Sequence, residues 1–158
     1  GAKMIIAAID PGNVNSALVC WDGNAVLFKA LWPNAEIFNW LANDDGACST
    51  LLIEQVSCYG MPVGATILET VFWIGRFYTA GAGFAERQRV TRQTIKGHHC
   101  RSMQARDSNV RQVLIDKYGA PGTKREPGTT YGLKADLWAA FALATYWAET
   151  DNPKTWNP

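Results

Sequence analysis

Two carboxylates stand at the ends of apolar runs that otherwise carry no charge. "MIIAAID" (4–10) closes on Asp10 and is followed at once by Pro11 and Gly12, and "TLLIE" (50–54) closes on Glu54. Continuous apolar runs of this kind read as strands buried on both faces, so each acid lies at the rim of a core and needs a partner there. Asp10 has two readings: it caps the turn that Pro11 and Gly12 force, or it is a metal ligand held rigidly by a central strand. If the two strands are neighbours, the carboxylates lie a few ångströms apart. One of them then keeps its proton unless a cation sits between them. Asp136, at the start of a last apolar helix, adds a third oxygen donor if that helix crosses the sheet there; its plainer reading is a helix cap. Hard oxygen donors in this number suit Mg²⁺ or Mn²⁺.

Something must bring these residues together, and the order of elements supplies it. After Asp10, "SALVCW" (16–21) and "AVLFKALW" (25–32) read as strands joined by the hairpin signal "DGN" (22–24). "AEIFNWLAN" (35–43) is a short amphipathic helix, "DDGACS" (44–49) a loop, and 50–54 the fourth strand. A long helix spans 65–80, "RQRVTRQ" (87–93) alternates like an edge strand, and 102–119 reads as a helix stopped by Gly119. A Gly/Pro/Lys/Arg-rich loop (119–132) leads to a final helix over 134–149. Three strands joined by hairpins, then strands with crossover helices, predict an α/β fold with a mixed sheet flanked by helices. In it the first and fourth strands lie side by side.

The 158 residues suit one domain spanning 1–158, and seven Trp within a 47% apolar composition are ample for a core. No run approaches the ~20 apolar residues that cross a bilayer, and no signal peptide is visible, so the expected location is cytoplasmic. The four cysteines show no C-x-x-C spacing and read as buried thiols in a reducing compartment; "HHC" (98–100) hints at zinc but has no second ligand pair of matching spacing. The net charge of +1 hides an asymmetry: residues 76–134 carry +8 and the remainder −7. That suggests a polyanion partner, against the plainer reading of a solvated basic face.

Four segments, in order, resemble a known family. "IDPGNVNSALV" (9–19), "LLIEQVS" (51–57), "IKGHHCRSMQARDSNVRQVL" (95–114) and "DLWAAFALA" (136–144) are similar to motifs of the RuvC-type Holliday junction resolvases, RNase H-like nucleases, and most of all to phage-encoded members. The resemblance implies an RNase H-like five-stranded mixed sheet, three antiparallel strands then parallel ones. It implies metal-ligand roles for Asp10, Glu54 and Asp136, and a phosphate-side role for Lys96. Three positions depart from the pattern. Ala139 stands where a second helix acid is usual, Asp107 replaces a basic residue, and Ser57 replaces an aromatic, leaving Tyr59 as the nearest group to stack on an unpaired base.

The implied activity is a metal-dependent endonuclease on branched DNA (four-way junction, flap or fork), holding two Mg²⁺ or Mn²⁺ ions about 4 Å apart. Phage membership would place it in the host cytoplasm. Lys96 and Lys134 would face phosphate charge, Lys134 reading equally as a surface residue. Arg87, Arg89, Arg92, Arg101, Lys124 and Arg125 would follow the backbone. Symmetric cutting of a junction implies a homodimer, for which helix 65–80, with Trp73 and Phe77, is the expected interface unless those rings belong to the core. Two alternatives remain: a catalytically weak or inactive branched-DNA-binding protein of the same fold, and an actin-like or sugar-kinase-type ATPase, disfavoured by length and the lack of a second Gly-rich phosphate loop.

Overall fold

The chain's structure, a computed structural model, describes residues 4–44 and 46–158. Gly1, Ala2, Lys3 and one member of the 44–49 loop, Asp45, lie outside them. The elements follow from local chemistry. Strand β1 (Ile6–Asp10) pairs antiparallel with β2 (Asn15–Trp21), which pairs antiparallel with β3 (Val26–Pro33). The second hairpin closes because the Asp22 carboxylate accepts the N–H groups of Asn24 and Ala25 at 2.8 and 2.7 Å, while Gly23 takes φ +94°. Helix α1 (Asn34–Ala42) returns the chain to β4 (Thr50–Gln55), parallel to β1; helix α2 (Ala65–Ala80) then leads to β5 (Glu86–Thr91), parallel to β4. The sheet order is β3-β2-β1-β4-β5. The mixed five-stranded sheet is the one expected.

Helix α3 (Arg92–Cys100) had no counterpart in the sequence pattern, and helix α4 begins at Asp107, not at 102 (Asp107–Tyr118). Only Ile95 and His99 of α3 are buried, one turn apart, and Ile95 is its single large aliphatic side chain, so its buried face shows no apolar stripe in the sequence. It forms because the Thr91 hydroxyl accepts the Thr94 N–H and because those two side chains pack onto the core. The start of α4 is set by Asn109, whose side chain accepts the Arg106 N–H at 2.9 Å. The last helix, α5, covers Leu137–Glu149, three residues shorter at its start than expected.

Side-chain alternation divides the core. Ile6 and Ala8 of β1, Leu52 of β4 and Val90 of β5 meet α5 on one face, with Trp21 edge-on to Phe141 at 5.1 Å; Ala7, Ile9, Leu51 and Ile53 meet α1 and α2 on the other. β1 and β4 are thus apolar on both faces because both faces are covered. Deleting the Phe141 ring would cost about 3–5 kcal/mol. On α2 the two rings expected at an interface, Trp73 and Phe77, belong instead with the core. Phe77 is 0% exposed, in the monomer core, and Trp73 packs against it, while Leu68, Val71 and Phe72 form the outward apolar face.

Candidate active site

The same alternation aims the acids. Even-numbered residues of β1 and β4 face α5, so Asp10 and Glu54 emerge on that face at the carboxyl ends of adjacent parallel strands, with Ile9 beside Ile53. The turn after Asp10 is braced: the Gly12 N–H donates to Ser16 Oγ, Ser16 donates to Asn34 Oδ1, and Asn34 Nδ2 donates to the Gly12 carbonyl at 2.9 Å. A Cβ on Gly12 would lie 2.2 Å from the Asn15 carbonyl oxygen, so this turn takes no side chain. Asp10 takes no part in that bracing, and its carboxyl group has Glu54 as its nearest acidic neighbour.

Asp136 approaches from the N-cap position of α5. It is exposed and makes no capping hydrogen bond, so capping is not what its side chain does. The residue before it, Ala135, is held at φ +47°, a left-handed conformation that costs a non-glycine residue about 1–2 kcal/mol. Glu54, Arg92, Lys96, Asp107, Ala135, Asp136 and Ala139 all line one cleft of about 190 Å³. Lys134 is exposed and is not among the lining residues.

Charge in the cleft is unevenly compensated. Burial, then the neighbouring Glu54, pushes the Asp10 carboxyl up to about 9, against the pull of Arg92; Asp136 adds to the rise. Arg92, the first residue of α3, donates from Nε and Nη2 to both Glu54 oxygens at 3.0 and 3.1 Å and lies 3.6 Å from Asp10. Those carboxylates hold its guanidinium more firmly charged despite its burial. Asp107, exposed at the start of α4, is 3.9 Å from Arg92 and 3.5 Å from Lys96. Arg92 therefore supplies the positive charge for the acid pair, a role its sequence context did not reveal. The readable signal was positional: the residue following β5 must lie beside the carboxyl end of β4.

Oxygen donors crowded closely enough to retain a proton fit a divalent cation, which would release that proton. Asp10, Glu54 and Asp136 would be the residues to hold one, with Asp107 near. They do not close into one cage. Among the described residues, the trio whose ligand atoms all lie within 4.8 Å of one another is His98, His99 and Glu149.

The other basic residues expected to meet a polyanion scatter. Arg101 ends α3 in the left-handed region and is exposed; Lys124 and Arg125 are exposed at the tip of a turn closed by the Gly122–Pro127 bridge. Arg87 and Arg89 are half-buried and engaged. Arg87 donates to the Tyr78 carbonyl at 2.7 Å, while Arg89 donates to Gln55 and lies 4.5 Å from the centre of the Trp156 ring. Tyr59 is 68% exposed, in the segment after β4, and so is not packed on the core.

No family model matches the chain, and no curated protein matches it. Its architecture is the RNase H-like mixed sheet with the RuvC arrangement of strands and helices. Thermus thermophilus RuvC is similar over 92% of this chain and 94% of that one, with TM-score 0.68 and 16% identity. T. thermophilus RuvC in complex with Holliday junction substrate is similar over 97% and 99%, with TM-score 0.72 and 15% identity. At these identities the likeness is one of fold.

Proposed function

We propose that this protein is a metal-dependent endonuclease that hydrolyses phosphodiester bonds in branched DNA, with the four-way junction as its principal substrate. The observation that carries the reading is Asp10 beside Glu54 at the ends of adjacent strands, with Glu54 and Asp136 lining one cleft, on a fold similar to that of a RuvC in complex with Holliday junction substrate. Bound there, Mg²⁺ or Mn²⁺ ions, two in number, would supply Lewis-acid charge and a more acidic water. The chain's own groups do the rest. Asp10 and Glu54 offer oxygens from rigid strands, Asp136 offers one from the helix opposite, and Lys96 presents its ammonium to the phosphate. Lys134 adds charge from outside the cleft.

Arg101, Lys124 and Arg125 are exposed and suited to sequence-independent backbone contacts; Arg87 and Arg89 offer whatever charge their partners leave accessible, and Arg92 serves DNA only by leaving Glu54. Tyr59 is free to stack on an unpaired base. Leu68, Val71 and Phe72 of α2 offer an apolar face to a second copy in a homodimer. Among the described residues no helix is long and apolar enough to cross a membrane; a phage origin and action in the host cytoplasm belong to the same reading.

Two observations favour the second reading, a branched-DNA-binding protein with weak or no cleavage: Arg92 already neutralises the acid pair, and Ala139 puts a methyl group in the cleft one turn beyond Asp136. Gel assays on four-way junctions, flaps, forks and linear duplex with Mg²⁺ or Mn²⁺ separate the two. Metal-dependent nicking of branched DNA that Asp10→Asn abolishes supports the nuclease. Tight junction binding without nicking under saturating metal overturns it in favour of the second.

A further inference from the structure

We propose that His98, His99 and Glu149 form a second metal site, for Zn²⁺ or a similar borderline divalent ion, distinct from the carboxylate cleft. His98 Nε2 lies 2.7 Å and His99 Nδ1 3.8 Å from Glu149 Oε2, and the three ligand atoms all fall within 4.8 Å. Ligand atoms around a tetrahedral zinc, each about 2.0–2.2 Å from the ion, stand about 3.3–3.5 Å apart. A small outward movement of His98 therefore admits the ion.

The tautomer of His99 is already the one a metal needs. Its Nε2 lies 2.8 Å from the Ala142 carbonyl, which can only accept, so Nε2 carries the hydrogen. The imidazole is 0% exposed. Its Nδ1 is then a bare lone pair, buried and without a hydrogen-bond partner. A ligating histidine tied through its other nitrogen to a backbone carbonyl is the usual outer support of a metal site. Without an ion, that lone pair is an uncompensated buried acceptor.

Glu149 is prepared in the same way. Tyr118 donates to Oε1 at 2.7 Å and Lys117 lies 2.9 Å from it, which turns Oε2 toward the two imidazoles. On binding, the ion takes the place of the hydrogen between His98 Nε2 and Glu149 Oε2; that proton leaves to water and the His98 imidazole carries its hydrogen on Nδ1. The fourth corner goes to water, since His98 and Glu149 remain partly exposed. Two imidazoles and one carboxylate favour zinc over Mg²⁺, which prefers oxygen alone. The ligands join the end of α3 to the end of α5. Seven residues separate Arg92 from His99, about 10 Å along the helix. Zinc would thus clamp the far end of the helix that carries Arg92 and Lys96 into the cleft.

The test needs neither DNA nor nuclease activity, so it stands apart from the proposed function. Chelator-treated full-length protein is titrated with Zn²⁺ alone by calorimetry. One equivalent should bind at micromolar Kd or tighter, unaffected by Asp10→Asn and at least tenfold weaker in His98→Gln and Glu149→Gln. The chain has two histidines, so long-range ¹H–¹⁵N spectra of the wild type read the site without any variant. Zn²⁺ should shift His98 Nε2 and His99 Nδ1 and leave His99 Nε2 protonated. No binding, binding abolished by Asp10→Asn, or binding that leaves both imidazoles unmoved would overturn the proposal.

Discussion

Arg92→Gln is the sharpest probe of how the acid pair is held in check. The substitution removes two charge-assisted hydrogen bonds to Glu54, at 3.0 and 3.1 Å, and the guanidinium 3.6 Å from Asp10. Breaking a fully buried pair costs about 3–5 kcal/mol, and an exposed pair contributes under about 1 kcal/mol. The Arg92 side chain is 38% exposed while its partners are nearly buried, which sets the expected loss near 2 kcal/mol in metal-free protein. For a chain of this length that is a fall in Tm of roughly 4–8 °C. If Arg92 stands where a cation's charge belongs, saturating Mg²⁺ should restore most of the loss. By linkage, the variant should then bind Mg²⁺ up to about thirtyfold more tightly, the equivalent of about 2 kcal/mol. Thermal unfolding of both proteins in chelator and in Mg²⁺, with calorimetric Mg²⁺ titrations, measures all three quantities. An equal loss with and without Mg²⁺ would refute the countercharge argument and make Arg92 an ordinary structural partner.

Three further outcomes are expected. Asp10 keeps its proton to about 9 when folded but only to near 3.8 when unfolded, so the folded state binds the extra proton between those values. Metal-free stability should therefore fall as pH rises across that window, and urea titrations should show Asp10→Asn removing the slope; Mg²⁺ affinity should climb up to about tenfold per pH unit below 9, and a flat calorimetric profile would contradict the retained proton. Asp136→Asn should stop cleavage yet spare junction binding in a gel-shift assay, and Ala139→Asp should lower the Mg²⁺ needed for half-maximal cleavage; normal cleavage by Asp136→Asn would remove Asp136 from the site. Charge reversal of Lys124 and Arg125 should reduce the salt dependence of junction binding by about 1 in slope for each phosphate left without its cation, and an unchanged slope would leave that turn a solvated feature.

Much of the site was legible because strands advertise burial. A run such as Ile6–Ile9 is apolar at every position only when both faces are covered, so an acid at its end is conspicuous, and Glu54 follows the same rule one parallel strand away. The hairpin at Asp22–Asn24 and helix α2 could be read from turn chemistry and periodicity. What tertiary structure alone decided were features that no apolar stripe marks. Helix α3 buries only Ile95 and His99, so its existence depends on what it packs against, and with it the placing of Arg92 over Glu54 and of Lys96 in the cleft. Phe77 and Leu68 look alike in a helical sequence, and only the sheet beneath one of them sends it inward. His98 and His99 showed no matching ligand pair by spacing, because Glu149, fifty residues after His99, reaches them only through the packing of α5 on α3. Period and turn residues act over a few positions, whereas charge compensation and ligand sets are formed between elements, where sequence distance carries no geometric information.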